Sequence, residues 1–269
     1  MRAHARLVAE VDATGRTRLV CLRGEPPLVL RRTGPAAAAG EVQVHLVGAA
    51  AGPLGGDDLR LDVEVGPGAR VCLRTVAASL ALPGAGGGRS VLQMRVRVAA
   101  GGELRWLPEP LIAATGCDHV SRSVVELADG ASMVWREELV CGRAGEAPGD
   151  ARIDTLVRYA GRTLLRTDLA VGPRAAGWAG PAVLAGAKAT GSVLMVRPDW
   201  ADGGAPTATP LGPGAALLPL AGGPAALVTA TGPTAHQLRA NLDRATAEHA
   251  RPGRAHLDSA AAARRPRRG

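Results

Sequence analysis

Along the first two thirds of the chain, apolar and polar residues alternate with a period of two. Leu59, Leu61, Val63 and Val65 are separated by Arg60, Asp62 and Glu64, and Leu92, Met94, Val96 and Val98 by Gln93, Arg95 and Arg97. Val42, Val44 and Leu46 give a shorter instance. On an extended backbone successive side chains point to opposite faces, so each run presents one aliphatic face and one polar face. The pattern predicts strands there, and further strands at 69–77, 103–107, 123–128, 132–141, 152–159 and 162–171.

Three junctions between these runs are small glycine turns: Gly66-Pro67-Gly68-Ala69, Ala100-Gly101-Gly102-Glu103 and Asp129-Gly130-Ala131. Glycine reaches positive φ without steric cost, and Asp-Gly is a strong signal for a tight connection. The strands flanking each turn are expected to pair as antiparallel neighbours. The fold class is then mainly β, with many short antiparallel strands in stacked sheets, either a sandwich or a β-helix-like stack, and a C-terminal helix. Residues 172–233 are rich in Ala, Gly and Pro, with short apolar pieces at 193–197, 215–220 and 225–231. The helix is expected over 234–250. Thr234 and Gln237 have the spacing of a capping box, and Leu238, Leu242 and Ala245 fall on one face. Pro252 stops continuation.

Composition narrows the picture. A chain of 269 residues with 46% hydrophobic content can bury one large core, so residues 1–250 read as a single β domain. Phe is absent and Tyr occurs once, which leaves Leu, Val and Ala to fill that core. Most of the net charge of +8 lies in residues 251–269, where six arginines face only Asp258. That stretch reads as a basic, disordered tail. Its arginines are not interleaved with aromatic side chains, so a nucleic-acid platform is not expected. The four cysteines form no C-x-x-C pair, and Met1–Val20 has no apolar signal region. Six prolines interrupt the charge-free stretch from Gly203 to Leu238, which excludes a membrane helix there. A cytoplasmic protein with reduced thiols is expected.

Candidate chemistry is sparse. Cys117 and His119 stand at i and i+2, where a strand would put both on one face within reach of a metal, but two ligands do not complete a tight site. No G-x-S-x-G elbow is present, and Gly84-Ala85-Gly86-Gly87-Gly88 lacks the Lys-Ser/Thr of a phosphate cradle and reads as a hairpin loop. Asp57 and Asp58 follow Gly55-Gly56 and read as turn and strand-entry residues. Taken alone, these residues do not describe an enzyme.

Four ordered segments resemble the UreD (UreH) family of urease accessory proteins. Gly52-Pro53-Leu54-Gly55-Gly56-Asp57-Asp58-Leu59 is similar to the family's Gly-Gly-Asp stretch, and Arg74-Thr75-Val76-Ala77-Ala78-Ser79 to its Thr-Thr-x-Ala-Ala segment. Leu104-Arg105-Trp106-Leu107-Pro108-Glu109 resembles a Trp-Leu-Pro segment. Trp135 with Glu137 or Glu138, then Cys141-Gly142-Arg143-Ala144-Gly145-Glu146, resembles the last. The chain departs from the usual pattern at Ala51-Gly52-Pro53 and Leu80-Ala81-Leu82-Pro83, as a divergent, alanine-rich member would. The resemblance implies a non-catalytic scaffold that binds UreF, recruits UreG through it, docks on apo-urease and guides nickel in transit, with no tightly bound cofactor. Under that reading Asp57, Glu109 and Glu146 are the candidates for lining a nickel passage or an interface. Two other classes stay open: an independent metal-binding protein or enzyme using Cys117 and His119, and a basic nucleic-acid-binding module.

Overall fold

The computed structural model describes residues 1–34 and 40–247. Each period-two run is a strand. In the N-terminal half these are β1 (Arg2–Val11), β2 (Thr17–Gly24), β3 (Leu28–Arg32), β4 (Val42–Gly48), β5 (Asp58–Val65) and β6 (Arg70–Thr75). The middle of the chain adds β7 (Ser79–Ala81), β8 (Ser90–Val98), β9 (Glu103–Leu107), β10 (Leu111–Ala113), β11 (Asp118–Leu127) and β12 (Ser132–Cys141). The last third contributes β13 (Asp150–Tyr159), β14 (Arg162–Val171), β15 (Ala189–Val196), β16 (Thr209–Pro210), β17 (Ala215–Leu220) and β18 (Ala225–Gly232). One helix, α1 (Ala235–Ala247), follows. The amide of Gln237 donates to Thr234 Oγ1 at 3.2 Å, the first half of the expected capping box. The predicted tail at 251–269 and the predicted helix end beyond 247 lie outside the described residues.

The strands form two stacked sheets, with order β14-β13-β11-β8-β5-β1-β2 in one and β16-β17-β18-β15-β12-β9-β6-β4-β3 in the other. The stacked, β-helix-like arrangement and the C-terminal helix agree with the sequence pattern. Pairing across the three glycine turns does not. Each turn carries the chain from one sheet to the other: β5 to β6, β8 to β9 and β11 to β12. Neighbours within a sheet are successive coils, and they run parallel in both β5-β8-β11-β13 and β4-β6-β9-β12. Antiparallel pairs occur toward the sheet edges, at β1-β2, β13-β14, β3-β4 and from β12 outward through β15, β18 and β17. Gly84–Gly88 likewise bridges two sheets rather than closing a hairpin.

The turns are coil corners, and they stack. Gly68, Gly101 and Gly130 all hold φ near +70° (68°, 68° and 74°), a region that suits glycine. The amide of Gly101 donates to the carbonyl of Gly130 at 3.2 Å, and that of Ser132 to Gly102 at 2.9 Å. The chain's single tyrosine locks the last corner: Tyr159 Oη donates to Asp129 Oδ1 and accepts from the Gly130 amide, both at 3.0 Å. Between the sheets lie the aliphatic faces, including Leu61, Val63, Val71, Leu73, Val96 and Leu104, with Trp106 and Trp135 tilted against each other at 5.9 Å. On the outer face of the first sheet charged rows pair across neighbouring strands, as in Arg122 and Arg166 on Asp154 and Arg97 on Glu126.

The opposite side of the stack is wider. There the chain uses longer connections, and the loops at Gly55 and Gly84 meet backbone to backbone. A Cβ on Gly55 would sit 2.6 Å from the Gly84 nitrogen and 2.8 Å from the Gly88 carbonyl oxygen. No flexible side chain can yield there. Gly55→Ala is therefore expected to lower the unfolding free energy by about 1–3 kcal/mol, the usual cost of overpacking. Urea denaturation of the two proteins, followed by circular dichroism, checks the shift in midpoint.

Candidate functional site

The wide side of the stack interrupts the second sheet. Strand β12 pairs with β9 only from Ser132 to Trp135, and with β10 only from Leu139 to Cys141. In the same way β6 and β9 pair through Arg74 and Leu107, and β7 and β10 resume at Ser79 and Leu111. Residues 76–78, 108–110 and 136–138 thus lie between two blocks of ladder and leave a slot across the sheet. Prolines 108 and 110 suit that place, because they offer no amide to a ladder.

The slot leads into a cavity of about 400 Å³ between the sheets, room for several waters. Its walls are mixed. Leu59, Leu92, Met94 and Trp106 are apolar, while His119, Ser121, Ser123 and Glu137 form a polar seam. The seam follows from alternation. On β11, residues 119, 121 and 123 share the inward face with Val125 and Leu127, so three polar side chains take positions that the rest of the strand gives to the core. Glu137 projects from the second sheet and accepts a 2.6 Å hydrogen bond from Thr155 Oγ1 of the first.

Burial decides the charge states here. His119 is 1% exposed, and desolvation lowers its pKa to about 4, against a small opposing pull from Asp118. Its Nδ1 lies 2.9 Å from Ser90 Oγ and its Nε2 3.4 Å from Ser121 Oγ. At neutral pH it is an uncharged imidazole that donates from one ring nitrogen and accepts at the other. Burial pushes the Glu137 carboxyl up, and the bond from Thr155 only partly offsets that. At the slot, Glu138 is held by Arg136 and by Arg239 of α1, and Arg239 also reaches Glu109 at 2.6 Å.

The candidates named from sequence fall in three places. Glu109 lines the cavity at the slot, and its amide donates to Thr75 Oγ1 at 2.8 Å. Thr75, Ala77, Ala78, Trp106 and Pro108 line the same cavity, with Leu107 ending the strand between the last two. Asp57 is not among the lining residues. It is 4% exposed, receives the Met1 amino group at 2.8 Å and caps the Leu54 amide at 2.9 Å, so it anchors the loop that carries Gly55 and Gly56. Glu146 is also outside the cavity. It forms a two-bond pair with Arg143 and accepts the amides of Arg143 and Thr115, which depresses its pKa to about 2. Gly142 and Gly145, both at positive φ, shape that turn.

Cys117 and His119 stand in adjoining surroundings rather than one. His119 faces the cavity, whereas Cys117 packs with Cys141, Ala113 and Val171, and its thiol donates to the Asp150 carbonyl at 3.6 Å. Burial, with the charges of Asp150 and Asp118, pushes that thiol up to about 11. Among the described residues, no group of three or more His, Cys, Asp or Glu side chains is placed to hold a metal ion. Sequence reasoning did not single out Ser121, Ser123 or Arg239, and took Glu137 and Glu138 only as motif neighbours of Trp135. Polar residues at three successive inward positions of β11 were the available signal.

Comparison with known proteins places these features in a family. The UreD urease accessory protein family matches residues 1–268. A urease accessory protein UreD of Streptomyces avermitilis is 48% identical over 246 residues, covering 91% of this chain and 96% of that protein. One from Streptomyces coelicolor is 46% identical over 92% of this chain and 96% of its own length, and one from Frankia alni 44% identical over 82% and 85%.

The neutral state of His119 has a consequence for stability. Its pKa falls from about 6.5 unfolded to about 4 folded, so the unfolded chain binds the proton first. The contribution of this burial is fully present above about pH 6.5 and is lost as pH falls toward 4, by at most about 3 kcal/mol at 1.36 kcal/mol per pKa unit. His119→Asn is expected to flatten the unfolding free energy over that window, which urea titrations at pH 7, 6, 5 and 4.5 measure.

Proposed function

The chain belongs to the UreD urease accessory protein family, and on that premise we propose that it is a urease maturation factor that conducts nickel toward apo-urease. In this reading it is a scaffold subunit of the accessory complex and turns over nothing. It binds UreF, meets UreG through UreF, works in the cytoplasm and holds nickel only in passage. No described helix is long and apolar enough to cross a membrane.

The observation that carries the reading is the cavity between the sheets, with its seam of His119, Ser121, Ser123 and Glu137 and its exit through the slot. A cation in transit needs oxygen and nitrogen groups that replace part of its hydration without trapping it. Hydroxyls, one uncharged imidazole and one carboxyl supply that, and apolar walls keep the remaining shell of water mobile. Glu137 suits the task because its charge responds to the cargo. Burial favours the neutral acid, while an arriving dication favours the carboxylate. Asp57 and Glu146 support the path indirectly in this reading, by fixing the loops around it.

A resident metal site at Cys117 and His119 has less in its favour, since the two side chains serve different surroundings. The basic stretch that motivated a nucleic-acid reading lies outside the described residues.

Urease produced together with its other accessory proteins and the Glu137→Gln or His119→Ala chain is expected to carry several-fold less nickel than with the natural chain. Glu146→Gln, if folded, should leave nickel close to the natural level. Elemental analysis of purified urease decides it. Full nickel content with both cavity variants would remove the cavity from the path.

A further inference from the structure

We propose that Arg239, carried by α1, is a removable plug that closes the slot against cations. The proposal rests on the passage reading for its purpose, but its geometry stands on its own. The slot is a break in the pairing of β12 with β9 and β10 at residues 136–138, which stay paired with β15 on their other edge, and its rim carries Glu109 and Glu138. Arg239 spans both. Its Nη1 donates to Glu109 Oε2 at 2.6 Å, and its Nε and Nη2 to the two oxygens of Glu138 at 3.2 Å each.

These contacts join distant parts of the chain, 130 and 101 residues apart. They are made by a helix that sits on the outer surface of the second sheet through Leu238, Leu242 and Ala245. Glu138 is only 1% exposed and is met by two arginines, Arg136 and Arg239. Arg136 continues the cluster to Asp243, one turn further along α1. The helix is therefore tied to the slot at two positions.

A guanidinium differs from a lysine ammonium as a stopper. Its fork matches both carboxylates at once, and it does not lose its charge at any physiological pH. A cation leaving the cavity meets a fixed positive charge that already occupies the oxygens it would use. Only displacement of the side chain, or of α1 with it, frees Glu109 and leaves Glu138 with Arg136 alone. The slot is thus shut by charge rather than by bulk, and α1 is the part whose position sets whether it opens.

Cation access to the interior is measurable without nickel or urease. Trp106 lines the cavity and Trp135 packs on it, whereas Trp178 and Trp200 lie in other clusters. In a Trp178→Phe/Trp200→Phe background, collisional quenching of the remaining fluorescence is compared for caesium ion and for neutral acrylamide. Arg239→Gln is expected to raise the caesium constant several-fold and leave the acrylamide constant within about twofold, while Arg239→Lys, which keeps the charge but not the fork, falls between that variant and the parent. Equal rises for both quenchers would mean a loosened fold and would overturn the proposal, as would an unchanged caesium constant in a folded Arg239→Gln protein. Should that variant not fold, Arg239→Gln is combined with Glu138→Gln, so that no buried carboxylate is left unpaired when the guanidinium is removed. A caesium constant that does not rise there sinks the proposal as well. Because urease takes no part, failure here leaves the nickel passage to its own test, and failure of the passage leaves the plug to this one.

Discussion

In-register stacking of parallel coils is the constraint on which the rest of the molecule depends. Each coil must turn the same corner at the same level, because the amides of one corner donate to the carbonyls of the next. Positive φ at Gly68, Gly101 and Gly130 makes that corner tight enough to repeat. With one side closed so narrowly, irregular chain collects on the other. The longer connections, the short strands β7 and β10, and the slot all lie there. The cavity is where two sheets joined tightly at one side are held apart at the other.

That space has an energetic cost which the fold contains by pairing. Buried polar groups without partners are destabilising by roughly 1–3 kcal/mol each. His119 meets Ser90, and Glu137 meets Thr155 across the gap between the sheets. Both titratable groups move toward their neutral forms, which is the cheaper state in a low-dielectric interior. A core built for stability alone would place aliphatic side chains at 119, 121 and 123, as it does at Val125 and Leu127. On β11 the departure from the alternating pattern is confined to residues 119, 121 and 123, which line the cavity.

Much of the fold was legible because alternation is a local property. Strands such as 103–107, 132–141 and 162–171 were read within a residue or two at either end. The pairing was not legible from the turns, since a hairpin and a coil corner use the same glycine chemistry. The distinguishing signal was the recurrence of Gly68, Gly101 and Gly130 at spacings of 33 and 29 residues, a period that belongs to stacked coils rather than hairpins. The site was legible in part. Motif residues Thr75 to Ala78 and Trp106 to Glu109 flank the slot, but what makes them a site is register. Only three-dimensional pairing brings Glu109 beside Glu138 and sets both under a helix more than 100 residues later. Asp57 and Glu146 looked chemically active for the opposite reason, because carboxylates in glycine loops serve turn locks as readily as ligands.

The charge cluster at the slot follows from the same balance. A carboxylate as buried as Glu138 is strongly destabilising if unpaired, by about 3–5 kcal/mol when one partner of such a pair is removed. The resting protein therefore needs cations there, and it takes them from β12 and from α1. Arg136 alone would leave Glu109 without the ion pair that Arg239 gives it. Arg239 closes that gap from an element seated by a single apolar stripe, Leu238, Leu242 and Ala245, over the outer face of β15 and β18. Stability and closure are thus supplied by one contact. An element held by one stripe can be shifted without unpicking the coils beneath it, since none of the ladder hydrogen bonds between β9, β12 and β15 involves the helix. The fold keeps its rigid part in the stacked corners and puts the charge that guards the opening on its most separable piece.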